Sequence, residues 1–172
     1  MRSNPSSGLS RRAFVGAGLA AAAAFGAAPV FALNVDQARA LIDKVVAEVN
    51  AIIGSGQSEQ QMFPKFERMF TTYADVPTIA RAALGPAARS ATNAQMKAFT
   101  KTFTAYISRK YGRRFREFIG GKIEVTDARP IKSNFEVIST AYLKGESPFE
   151  VRWQVSDKSG KSLFFNIIIE GV

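Results

Sequence analysis

The chain has 172 residues, 47% of them hydrophobic, with a formal net charge of +9. That length suits one domain with a sizeable core. It contains no Cys and no His, which excludes disulfides, thiol nucleophiles, most hydrolase triads and most zinc sites.

Residues 1–32 read as an export signal. Ser10-Arg11-Arg12-Ala13-Phe14-Val15 opens a run without charge from Ala13 to Leu33, rich in Ala and Gly. Val30-Phe31-Ala32 places small residues ahead of a cut after Ala32, the three-part pattern of a secretory signal. The Arg pair resembles a twin-arginine signal, although Val15 and Gly16 depart from its consensus. The run is long enough to span a membrane, but its Ala and Gly make it a poor anchor. Removing Arg2, Arg11 and Arg12 from the 23 cations leaves 20 against 14 anions. The expected mature chain, 33–172, is basic and periplasmic, so anionic headgroups or an acidic protein face suit it better than nucleic acid.

In the mature part, Asn34 with Gln37 predicts a capped helix. Leu41, Ile42, Val45, Val46, Val49, Ile52 and Ile53 follow at helical spacing until Gly54. A second helical stretch carries Met62, Phe63, Phe66, Met69 and Phe70, with Pro64 in its first turn or marking a break. Asp75 caps a short helix through Val76, Ile79, Ala80 and Leu84, which Gly85-Pro86 stops. Thr92 with Gln95 starts a long helix to about Ile119, and Gly112 is expected to bend it. Phe99, Phe103, Tyr106, Ile107, Tyr111, Phe115 and Phe118 form its ring stripe, predicted to point inward. Arg109, Lys110, Arg113, Arg114 and Arg116 mostly fall off that stripe, on a solvated back.

After Gly121 the period changes to two. Lys122–Arg129 alternates and Pro130 breaks it. Phe135, Val137, Ser139 and Ala141 share one face of the next strand. Phe149, Val151, Trp153 and Val155 share a face of the third. The last, Ser162–Glu170, is apolar on both sides, with Leu163, Phe165, Ile167 and Ile169 on one and Phe164 and Ile168 on the other. Helices first and an antiparallel meander after them predict an α+β domain, with helices packed on a twisted sheet of about four strands.

The catalytic inventory is thin. Gly160-Lys161-Ser162 echoes the end of a P-loop, but Val155 stands where that motif needs Gly and a strand follows it. No nucleophile elbow, dinucleotide fingerprint or metal-spaced carboxylates occur. Asp75, Asp127 and Asp157 read as cap and turn residues. An isomerase on a cone-shaped α+β fold would have Asp127 or Glu124 with Tyr106 as its candidates. The ring stripe itself fits either plain core or the wall of a ligand cavity.

A resemblance bears on that choice. Ile79-Ala80-x-x-x-Leu84-Gly85, Thr92-x-x-Gln95-x-x-x-Phe99-x-x-x-Phe103, Tyr111, Ile123-x-Val125 and Ile169-Glu170-Gly171-Val172 occur in that order. Together they resemble the MlaC, or toluene-tolerance, family of periplasmic phospholipid-binding proteins. The resemblance implies an NTF2-like cone with an apolar cavity for acyl tails, no cofactor and no catalytic activity. It implies a monomer that shuttles lipid between an inner-membrane ABC transporter complex and an outer-membrane lipoprotein complex. A hopanoid-type lipid is an alternative cargo, and an isomerase or hydratase an alternative activity. Pro86-Ala-Ala-Arg89 lacks the family's usual aromatic, and Ser162 and Asn166 replace a common Trp and Asp. The family usually continues beyond Val172, and a further segment would cover Phe164 and Ile168. On this reading Val76, Ile79, Leu84, Phe103, Tyr106, Tyr111, Phe115, Val125, Val137, Val151, Trp153 and Phe165 face the cavity. The basic back of the long helix, Arg109, Lys110, Arg113, Arg114 and Arg116, is expected to dock on the acidic surfaces of partners, a merely solvated face being the alternative.

Overall fold

The computed structural model describes residues 33–114 and 118–171, without the side chain of Arg114; the predicted signal, Phe115 and Arg116 lie outside the described residues. Four helices precede four strands: α1 (Val35–Ile53), α2 (Glu59–Tyr73), α3 (Val76–Leu84), α4 (Asn93–Arg114), β1 (Lys122–Ile131), β2 (Asn134–Tyr142), β3 (Phe149–Ser156) and β4 (Leu163–Ile169). A 3₁₀ turn over Gly85–Arg89 separates α3 from α4. The strands form one antiparallel sheet in the order β1-β2-β3-β4. The α+β class is as expected.

The helix starts follow from local chemistry. Gln37 N–H donates to Asn34 Oδ1 at 2.8 Å, and Asn34 N–H donates to Gln37 Oε1 at 3.1 Å. The same reciprocal box joins Thr92 and Gln95, at 2.8 and 3.2 Å. Thr78 N–H donates to Asp75 Oδ1 at 3.2 Å to start α3. Each satisfies donors that have no partner inside the helix. Gly85, at φ 62°, ends α3 in the region that favours glycine.

Two prolines sit where the sequence argued against them. Pro64 lies inside α2, beyond its first turn, without ending it. The carbonyl it leaves without an amide belongs to exposed Gln60, where water can reach it. Pro130 continues β1 and pairs with Phe135. Because β1 is an edge strand, the missing N–H costs no ladder bond.

α1 lies across β1, β2 and β3, burying Ala38, Ile42, Val45 and Val49. Asn50 ties it to the sheet: its amide donates to Ile123 O at 3.0 Å and accepts from Ile123 N–H at 3.1 Å. α2 packs on α1 and α4, α3 reaches β4, and α4 rests on α2 and α3. Among the buried polar groups, Trp153 Nε1–H donates to Ser139 Oγ at 2.9 Å, and Ser139 donates to Val151 O at 3.2 Å. Asp157 is more than a turn residue, since its carboxylate accepts from Leu33 N–H at 3.0 Å.

The last strand departs from its predicted parity. Val155 pairs with Phe164, whereas Gln154 pairs with Asn166 and Trp153 with Ile167, so β4 carries a bulge. The extra residue shifts every position before it to the opposite face. Phe164, expected on the outer side, is 1% exposed in the core. It lies edge-on to Trp153 at 5.5 Å between centroids and tilted to Phe70 at 6.2 Å. Its carbonyl accepts from Asp75 N–H at 2.8 Å, which fixes the α2–α3 junction on β4. Phe164 therefore needs no covering segment.

Helix α4 also presents a different face from the one its rings suggested. Met96, Thr104, Ser108 and Gly112 are the buried positions, while Tyr106 is 56% and Tyr111 40% exposed. Small residues let α2 approach closely. A Cβ at Gly112 would stand 2.5 Å from Phe63 Cδ1, so glycine here admits a ring; the sequence reading as a bend missed that contact. The described helix ends at Arg114, and Phe118–Gly120 forms a turn.

Candidate functional site

The helices and the β3–β4 half of the sheet do not close completely on each other. Between them lies a cavity of about 380 Å³, within the roughly 300–1,000 Å³ usual for small-molecule sites. Phe66, Met69 and Phe70 of α2 form one wall, with Ile79 and Ala83 of α3. Phe103, Ile107, Ser108 and Tyr111 of α4 form a second. Val151 and Trp153 of β3 and residues Phe164–Ile167 and Ile169 of β4 form the third, with Val49, Phe118 and Ile123 closing the end. Ala83, Tyr111, Asn166 and Ile167 are exposed and mark where the space meets solvent.

Among the described residues no charged side chain lines it. Asn166 donates its amide to Gln154 Oε1 at 3.2 Å, and Trp153 spends its N–H on Ser139. Ser108 is 4% exposed, and its hydroxyl has no hydrogen-bond partner. Such a space can shelter hydrocarbon.

Of the residues expected at the cavity, Ile79, Phe103, Tyr111, Val151, Trp153 and Phe165 line it. Val76 and Val137 do not, being packed into the core, and Val125 packs against that core. The reason for the two sheet residues is α1, which covers β1 and β2. Leu84 is half-buried, off the lining, at the end of α3. Tyr106 is off the lining as well: at ~100° per residue it falls outside the arc of Phe103, Ile107 and Tyr111. Phe115 lies outside the described residues. The contributions of Phe66, Met69 and Phe70 were missed, although their helical spacing marked an apolar face. That of Phe164 depends on the bulge, whereas Ile167 and Ile169 pair with Trp153 and Val151 beyond it.

The enzyme candidates do not converge here. Asp127 is exposed on β1 and accepts from Ala128 N–H at 2.8 Å. Glu124 pairs with Lys122 at 2.7 Å, and Tyr106 faces solvent. The basic face of α4 is also reorganised. Arg113 Nε lies 3.8 Å from Glu59 of α2. Lys110 Nζ sits 5.9 Å from the ring centroids of both Tyr106 and Tyr111. Rings and a cation thus share an exposed face of α4, rather than lying on opposite sides of the helix. Arg109 is exposed, and the side chains of Arg114 and Arg116 lie outside the described residues.

The sequence model of the MlaC protein matches residues 41–172. The chain belongs to the MlaC family. No curated protein sequence matches it. A similar solved structure is a phospholipid-binding protein from Ralstonia solanacearum, determined in complex with a phospholipid. It is 21% identical, with a TM-score of 0.68 over 78% of this chain and 79% of that one. This MlaC-family chain shares that fold. Among its described residues no helix is long and apolar enough to cross a membrane, and no acidic cluster could hold a metal ion.

Proposed function

We propose that the protein is a periplasmic carrier that holds the acyl part of a lipid in this cavity. It passes the lipid between an inner-membrane ABC transporter complex and an outer-membrane lipoprotein complex. The observation that carries the reading is the lining itself: mostly rings and aliphatic side chains, from four helices and three strands, with no charged side chain among the described residues. Membership of the MlaC family and the phospholipid in the Ralstonia relative support it.

The physical case is direct. Each methylene removed from water gains about 0.8 kcal/mol, so ten of them contribute ~8 kcal/mol. A lining that binds by contact rather than by directed bonds lets the tail slide in and out. The headgroup stays at the mouth, where Lys110 stands over Tyr111 and can meet a phosphate. Tyr and Lys together suit a membrane surface, with rings at the headgroup level and the cation in water. The export signal at 1–32 would deliver the chain to the compartment between the two membranes, and the protein acts as a carrier rather than an enzyme.

Mass spectrometry of lipid extracted from protein purified from the expressing bacterium tests this reading. About one lipid per chain is expected, phospholipid before hopanoid-type lipid. Protein that carries no lipid and takes up no fluorescent phospholipid would overturn it.

A further inference from the structure

The buried stripe of α4 carries three hydroxyls one turn apart, and they behave differently. Thr100 Oγ1–H donates to Met96 O at 2.7 Å, and Thr104 Oγ1–H donates to Thr100 O at 2.8 Å. This is the usual resort of a hydroxyl inside a helix, closing on the carbonyl one turn back. Ser108 stands next in the same row, yet its hydroxyl has no partner. It is 4% exposed and lines the cavity. An unpaired buried hydroxyl is costly, and native interiors hold few of them.

We propose that Ser108 is a polar recognition point inside the apolar cavity, bonding an oxygen carried by the buried part of the cargo. The proposal rests on the lipid-carrier reading and deepens it. A bare hydrocarbon tail leaves Ser108 unpaired. A lipid with an ester carbonyl or a hydroxyl at the depth of Ser108 satisfies it. Of the other polar lining groups, the Asn166 amide donates to Gln154 and the Trp153 N–H to Ser139, while Tyr111 is 40% exposed at the mouth. The cavity thereby favours an oxygen-bearing lipid over an oxygen-free one of equal length.

The test measures displacement of a fluorescent fatty-acyl probe from delipidated wild type and Ser108→Ala. One pair of competitors is a diester phospholipid and its diether analogue, which lacks the carbonyls. The other is a polycyclic lipid with and without a hydroxyl. In wild type one oxygenated competitor should bind about three- to tenfold more tightly than its partner, the worth of one neutral hydrogen bond. Ser108→Ala should abolish that ratio. Ser108→Thr, which keeps the hydroxyl, should retain it. Whichever pair shows the ratio identifies the source of the oxygen. Equal binding within both pairs in wild type would overturn the proposal, as would a ratio that survives in Ser108→Ala. Probe that fails to bind wild type at all would overturn the carrier reading instead.

Discussion

Val137 and Val151 are neighbouring strand residues with the same side chain, and placing the same Phe at each separates core from cavity. Val137 is 0% exposed beneath α1, whereas Val151 is 5% exposed and lines the cavity. Four extra carbons at Val137 have nowhere to go. Overpacking of this kind costs about 1–3 kcal/mol, and at roughly 3 °C per kcal/mol for a domain of this size the melting temperature should fall by about 3–9 °C. At Val151 the added ring enters a space of about 380 Å³. The delipidated Val151→Phe protein should melt within ~2 °C of wild type, because little native packing is displaced. Lipid should suffer instead. A ring that excludes about three methylenes of tail removes ~2.4 kcal/mol, roughly fiftyfold in affinity. Differential scanning fluorimetry of delipidated protein and lipid uptake measured on the same samples read both quantities. If Val151→Phe melts as low as Val137→Phe and still takes up lipid normally, the space is ordinary core. If Val137→Phe loses lipid at unchanged stability, the wall has been assigned to the wrong strand.

Other perturbations follow from the same contacts. Phe164→Ala removes the ring between Phe70 and Trp153 and should cost about 3–5 kcal/mol in chemical denaturation; a loss below ~1 kcal/mol would contradict its central place in the core. Tyr73 donates to Glu48, and that bond raises its hydroxyl above the ordinary value of about 10. Its contribution is complete below that value and disappears as pH climbs through the raised one, so the stability gap between wild type and Tyr73→Phe should be constant to about pH 10 and shrink above it. A gap that instead widens with alkali would refute this. Reversing Arg109 and Lys110 to Glu should weaken sedimentation with anionic vesicles by tenfold or more, at ~1 kcal/mol per cation near the surface, and leave binding to neutral vesicles unchanged. No difference between the two vesicle types would make this a merely solvated face.

What the sequence disclosed was mostly local. Asn34 with Gln37 and Thr92 with Gln95 form their boxes from residues three apart, so chain order alone exposes them. The alternation in β2 and β3 was equally plain, because Val137, Ser139, Ala141, Val151, Trp153 and Val155 keep strict parity. Long-range contacts were hidden. Nothing around Gly112 announces that Phe63 lies against it, and hydropathy cannot favour a stripe of Thr, Ser and Gly over one of rings. Closeness of approach selected that face. The bulge in β4 follows from pairing with β3 and the carbonyl bond to Asp75, neither of which is written in β4 itself. Val125 and Val137, expected in the wall opposite α4, thus lie away from the cavity lining. α1 occupies β1 and β2, and the free part of the sheet is β3 and β4.

The central claim is that acyl chain enters the cavity lined by Trp153, and the chain supplies its own probe, since Trp153 is its single tryptophan. Titrating delipidated protein with phospholipids brominated along the acyl chain, and separately with a lipid carrying a quencher on its headgroup, measures what lies against that ring. The expected result is strong, saturable quenching by acyl-chain bromine at about one lipid per protein, and weak quenching from the headgroup. Saturable binding of the brominated lipid with Trp153 fluorescence unchanged would put the tail elsewhere and contradict the claim.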